Sequence, residues 1–162
     1  MNEMSAPTET RRHQGAELDR IVDLFGGPSV LKHRVSNSID AHEMILHGIP
    51  SKALATFVSH LVLIDRGRDF ESALGMSERT FQRHKSDLSR TLSKEQSART
   101  WVFARILMRA TAVFGSQDAA EKWMIEPAIG LDDQRPIDLL TTPAGSELVE
   151  EFLERLDFGV YA

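Results

Sequence analysis

The chain has 162 residues, 41 % of them hydrophobic and 27 % charged, with no cysteine and a formal net charge of −5. That length suits one medium domain or two small ones packed together, and the composition is that of a folded globular chain. It excludes a disulfide framework and a thiolate metal centre, and no apolar run approaches the roughly 20 residues that span a bilayer.

Residues 1–15 are polar and without periodicity, and read as a flexible tail with no apolar core of a secretory signal. A cytoplasmic location is therefore expected. From Ala16, the spacing of Leu18, Ile21, Val22 and Phe25 predicts a helix that Gly26-Gly27-Pro28 ends. A short helical turn fits within 29–35. Ser38 is the expected N-cap of a helix carrying Ile39, Ala41, Met44, Ile45 and Leu46, with His42 and Glu43 facing water. Gly48 closes it, and Pro50-Ser51 opens another with Ala53, Leu54, Phe57, Val58, Leu61 and Val62 on one broad face. Helix, tight turn and helix follow over 70–88. Ser93 begins a long helix to Phe114, Gly115 stops it, and Ser116 caps the next, which Pro127 limits. After the Pro127–Arg135 loop, Thr142-Pro143 forms an N-cap and N1 pair. The final helix carries Leu148, Val149, Phe152, Leu153 and Leu156 and ends at Gly159. No segment alternates with β-branched enrichment, so the fold class is all-α.

Charge is segregated along this order. Residues 1–65 hold six Lys/Arg against eight Asp/Glu, 66–109 hold ten against five, and 110–162 hold three against eleven. A basic middle is what a phosphate backbone requires, while the acidic third must meet something else.

The segment 69–88, DFESALGMSERTFQRHKSDL, fits a helix-turn-helix. Phe70, Leu74, Met76 and Phe81 can pin two helices together, and Gly75 can make the sharp turn. Ser77 can cap the second helix, with Glu78 complementing its dipole. With Phe81 and Leu88 inward, Arg79, Gln82, Arg83 and Ser86 project outward, and Arg and Gln are the side chains that pair bidentately with guanine and adenine edges. Lys85, Arg90 and Lys94 suit phosphates. Two positions are atypical of such a unit: Glu71, where a small residue is usual, and His84, where an apolar one is.

The helix from Ser93 is apolar on more than one stripe. Phe103, Ile106, Leu107, Ala110 and Phe114 form one face, and Trp101, Val102, Met108 and Ala112 widen it. Such a helix is buried in its own core or against a second copy of the chain, and helix-turn-helix readers commonly bind as two-fold dimers. His42 and His47 lack the i, i+4 spacing and carboxylate company of a metal site. No phosphate loop or nucleophile–base arrangement occurs. No enzyme, cofactor or metal is expected.

From Ala112 onward, the pattern Phe114-Gly115, Ala119-Ala120, Trp123, Pro127, Leu131, Pro136, Leu139-Leu140, Thr142, Gly145, Val149, Leu153 and Gly159 resembles the toxin-binding domain of the Xre/MbcA/ParS antitoxins. Upstream, Arg79-Thr80 with Arg83, the string Leu92-Ser93-Lys94-Glu95-Gln96-Ser97, and the Gly48-Ile49-Pro50 turn resemble the same family. The resemblance implies a Cro-like helix-turn-helix domain over 16–97 and a small helical dimerisation and toxin-binding domain over 98–162. It implies a homodimer that binds the operator DNA of its own promoter through Ser77, Arg79, Thr80, Gln82, Arg83, Lys85 and Arg90. It also implies a cognate RES-type toxin that attacks NAD. The toxin's active site would be covered by the last helix with Phe158, Gly159, Val160, Tyr161 and Ala162, and by the neighbouring Pro127–Arg135 loop. The alternative is a stand-alone helix-turn-helix regulator whose last third only dimerises.

Overall fold

The computed structural model describes residues 6–65 and 67–159. Over these it is all-α, as expected: ten α-helices and one 3-10 turn, with two isolated β-bridges and no strand among the described residues. The helices are α1 (Ala6–Leu24), α2 (Pro28–Leu31), α3 (Ser38–His47), α4 (Ser51–Ser59), α5 (Arg68–Leu74), α6 (Glu78–Ser86), α7 (Lys94–Phe114), α8 (Gln117–Ile125), α9 (Pro136–Leu139) and α10 (Pro143–Asp157), with the 3-10 turn at Ile129–Leu131.

Helix α7 is the axis of the molecule. It packs against α1, α3, α5, α8 and α10, which is why Trp101, Phe103, Ala104, Ile106, Leu107 and Ala110 are all buried. One aromatic chain runs through this core: Trp101 stacks on Phe25 (6.2 Å), Phe25 meets Phe57 (5.1 Å), and Phe57 meets Phe103 edge-on (5.4 Å). At the other end of α7, Phe114 meets Trp123 (5.1 Å), which stacks on Phe152 (6.0 Å). Burying aromatics of this size supplies a large share of the hydrophobic stabilisation.

The caps read from the sequence form as expected at four helices. Ser77, Ser93, Ser116 and Thr142 each accept a backbone N–H three residues on, and Ser93 closes a capping box with Gln96. Elsewhere the expectations need correcting. Helix α1 begins at Ala6, not Ala16, so 6–15 are helix rather than tail. Residues 9–14 are exposed and polar; they extend a helix nucleated by the packed stretch after them. Asn37, not Ser38, caps α3, its Oδ1 accepting from the N–H groups of Ile39 (2.8 Å) and Asp40 (3.0 Å). Ile39 and Leu46 lie on the face of α3 opposite buried Ala41 and Met44, and are exposed. Helix α4 stops at Ser59, which removes Leu61 and Val62 from its face, and Val62 is exposed. Helix α6 stops at Ser86, so Leu88 is exposed instead of inward. Ala112 and Leu148 are also exposed. Helix α9, unforeseen in the loop before Thr142, starts with Pro136 at its first position.

Candidate functional site

The unit α5–turn–α6 is a helix-turn-helix. Gly75 ends α5 in the left-handed region (φ 66°) and its N–H donates to Glu71 O (3.1 Å). Phe70 and Phe81 cross edge-on at 5.4 Å, and Leu74 and Met76 are buried with them. Burying Phe81 and His84, three apart, turns Arg79, Gln82, Arg83 and Lys85 outward, and all four are exposed. Thr80 is half-buried, and its Oγ1 accepts from Ser77 Oγ (3.1 Å), so the two hydroxyls are engaged at the helix start. Ser86 donates to Arg83 O (2.9 Å), which occupies it within its own helix.

Both atypical residues find a physical reason. Glu71 is exposed and meets no packing demand. His84 is buried, with its Nδ1 2.7 Å from the Oγ of Ser51, the first residue of α4. A polar side chain here fastens α6 to α4 by a hydrogen bond. Burial holds the His84 pKa below its ordinary value of 6.5, and the charge of Arg90 acts in the same direction, against a hydrogen bond with Gln96 that raises it.

Arg90 lies outside α6, in the segment leading to α7, and is exposed. That segment is fastened to the α3–α4 turn: Ser51 N–H donates to Arg90 O (2.8 Å) and Leu92 N–H to Ile49 O (2.8 Å). Gly48 is required there, since a Cβ on it would lie 2.6 Å from Leu92 O. Between the segment and α6 is a cavity of about 440 Å³ lined by Thr80, Arg83, Arg90, Thr91, Ser93 and Gln96, among others. The Arg90 guanidinium, set beside hydroxyl and amide side chains, suits a phosphate oxygen.

The last third presents a different surface. Of its acidic residues, Glu121, Asp138 and Glu150 are used internally. Glu150 pairs with Arg105 and Arg109, Asp138 with Arg68, and Glu121 accepts backbone N–H groups. Asp118, Glu126, Asp132, Asp133, Glu147, Glu151, Glu154 and Asp157 are exposed, so the acidic balance read from the sequence is a real surface. Phe158 follows α10 with 74 % of its area exposed. It lines a cavity of about 430 Å³ between α1, α7 and α10, together with Met108, Arg109, Leu153 and Glu154. Gly159 is exposed with φ 70°. Val160, Tyr161 and Ala162 lie outside the described residues.

Sequence reading missed Glu121. Its carboxylate is fully buried and accepts from the N–H groups of Val62 (3.0 Å), Leu63 (2.6 Å) and Ile64 (3.3 Å) and from Gln117 Nε2 (2.7 Å). It thereby ties α8 to the connection that leads into the helix-turn-helix. The only local signal is Gln117, one helical turn earlier.

A helical body that carries a basic helix-turn-helix and an acidic last third is the architecture of a DNA-binding protein with a separate partner-binding module. Comparison with known proteins identifies both parts. Residues 40–105 match the antitoxin Xre-like helix-turn-helix domain, and residues 109–159 match the antitoxin Xre/MbcA/ParS C-terminal toxin-binding domain. A curated relative, Antitoxin Xre of Pseudomonas putida, is 26 % identical over 125 residues, covering 77 % of this chain and 76 % of the relative. The chain belongs to the Xre/MbcA/ParS antitoxin family. It is an Xre-type antitoxin with a helix-turn-helix and a toxin-binding domain, rather than a regulator whose last third only dimerises.

Proposed function

We propose that this antitoxin neutralises a RES-type, NAD-consuming toxin by covering its active site, and that as a homodimer in the cytoplasm it represses its own operon. It is not itself an enzyme on this reading. The observation that carries the reading is the separation of two exposed surfaces. Arg79, Gln82, Arg83 and Lys85 stand outward on α6, while Phe158 stands out at the end of the acidic last third. Arg79, Gln82 and Arg83 read base edges; Lys85 and Arg90 bind phosphates, with Ser77 and Thr80 fixing the start of α6. Phe158 and Gly159, with Val160, Tyr161 and Ala162 after them, close over the toxin.

Two variants test the division. The double variant Arg79→Ala with Arg83→Ala is expected to lose operator binding in a mobility-shift assay and still restore growth to cells expressing the toxin. Deleting residues 159–162 is expected to do the reverse. Loss of both activities in either variant would refute separate surfaces, and a tail deletion that still protects would refute the active-site cover.

A further inference from the structure

Two histidines far apart in sequence face one another in the fold. His33 and His47 bring their rings to 5.1 Å between centres, tilted by 47°. Both are held from behind. His33 lies on the turn between α2 and α3, where buried Leu31 and Val35 on either side fix the backbone. Lys32 just before it is left-handed (φ 58°), a conformation that a non-glycine residue keeps only under constraint. Ser36 N–H donates to Asp40 Oδ2 (2.8 Å), which ties the turn to the start of α3. His47 is the last residue of α3, and its Nδ1 lies 2.8 Å from Glu43 O. A carbonyl oxygen only accepts, so Nδ1 carries the proton and Nε2 keeps its lone pair. Backbone capture of one ring nitrogen is how metal-binding histidines have the other aimed.

The separation of the rings fits a shared cation. An ion held tetrahedrally at about 2.0–2.1 Å from one nitrogen of each of two imidazoles sets their ring centres about 5 Å apart. Exposed Glu43 stands one helical turn before His47 on the same face of α3, which puts a carboxylate beside the pair. No group of three or more ligand side chains is assembled among the described residues, so water completes the shell. Paired imidazoles select zinc, nickel or copper over magnesium and calcium, which take oxygen ligands.

We propose that His33 and His47 form a two-imidazole site for a divalent transition cation. A bound ion closes the 33–47 segment into a loop and braces the end of α3 beside the Gly48-Ile49-Pro50 turn, which fastens the segment carrying Arg90. The test titrates zinc chloride into the full chain and follows the histidine ring resonances by NMR, with magnesium chloride in a parallel series. Zinc is expected to shift the rings of His33 and His47 and to raise the melting temperature, because an ion that binds only the folded chain stabilises it; magnesium does neither. His33→Ala and His47→Ala are each expected to weaken zinc binding at least about tenfold, whereas His42→Ala, on the exposed side of the same helix, leaves it unchanged. His47 is exposed, so its replacement keeps the fold even if that of half-buried His33 does not. Zinc binding of unchanged strength in His47→Ala would overturn the site, as would ring shifts confined to other histidines or no shift up to about 1 mM zinc. Zinc-induced dimers in sedimentation that His47→Ala abolishes would show the ion bridging two copies, and would also overturn it.

Discussion

Replacing Glu121 with alanine removes the one carboxylate that serves three successive backbone N–H groups, those of Val62, Leu63 and Ile64, together with the side-chain amide of Gln117. A hydrogen bond to a charged acceptor contributes about 1.5–3 kcal/mol net, but the four do not add. Val62 and Leu63 are exposed, so water can reach part of the vacated site, whereas Ile64 is buried and its N–H is left without a partner. A net loss of about 3 kcal/mol follows, a large fraction of the roughly 5–15 kcal/mol that holds a domain folded. For a chain of this size that lowers the melting temperature by about 6–12 °C. Glu121→Gln keeps one accepting oxygen and turns an amide NH2 toward a donor, so about half that loss is expected. Thermal melting followed by far-ultraviolet circular dichroism measures both, and amide hydrogen exchange should speed up at Val62–Ile64 more than at Phe103 or Ile106. A melting point for Glu121→Ala within about 2 °C of wild type would refute the assignment of Glu121 as the tie between α8 and the 62–64 segment.

Acid should loosen the helix-turn-helix through His84. Its pKa lies below 6.5 in the fold, so the folded chain binds this proton less readily than the unfolded one. Stability is therefore unaffected above that value and falls as pH drops below it. Melting at about pH 7.5 and about pH 5 measures the loss, and His84→Gln, which can still bond to Ser51, should reduce it; an unchanged pH slope in the variant would count against His84. Gly145→Ala probes the α9–α10 contact, where a Cβ would lie 2.0 Å from Leu139 O. Alanine gains about 1 kcal/mol of helix propensity, but forcing backbone apart costs more, and a net destabilisation of about 2 kcal/mol is expected in urea melts.

The sequence made legible what is decided locally. Serine or threonine at a helix start, with glycine just past a helix end, located most boundaries because capping involves residues only a few positions apart. Local rules could not choose between Asn37 and Ser38, since both side chains can cap. Leu88 was misplaced because α6 was read two residues too long, past the capping position that Asp87 takes. Helix α9 is too short to announce itself by periodicity; its existence depends on contacts with α5, α8 and α10. Within the site, the outward row on α6 was readable because Phe81 marks the inner face. The partners of His84 and Glu121 were not, because Ser51 and the 62–64 segment are distant in sequence.

The two functional parts are distinct in composition but not in structure. The helix-turn-helix match ends at residue 105 and the toxin-binding match begins at 109, and both limits fall inside α7, an unbroken helix from Lys94 to Phe114. The division expected between residues 97 and 98 likewise falls inside it. The parts are fastened across α7 as well. Arg99 donates to Ser72 O in α5 and to Leu140 O beyond α9, Arg135 pairs with Asp69 of α5, and Glu121 holds the segment before α5. A partner seated on the last third would therefore rest on a body that is continuous with α6. Displacing α8 or α9 would be felt at α5, and through Phe70 and Phe81 at α6.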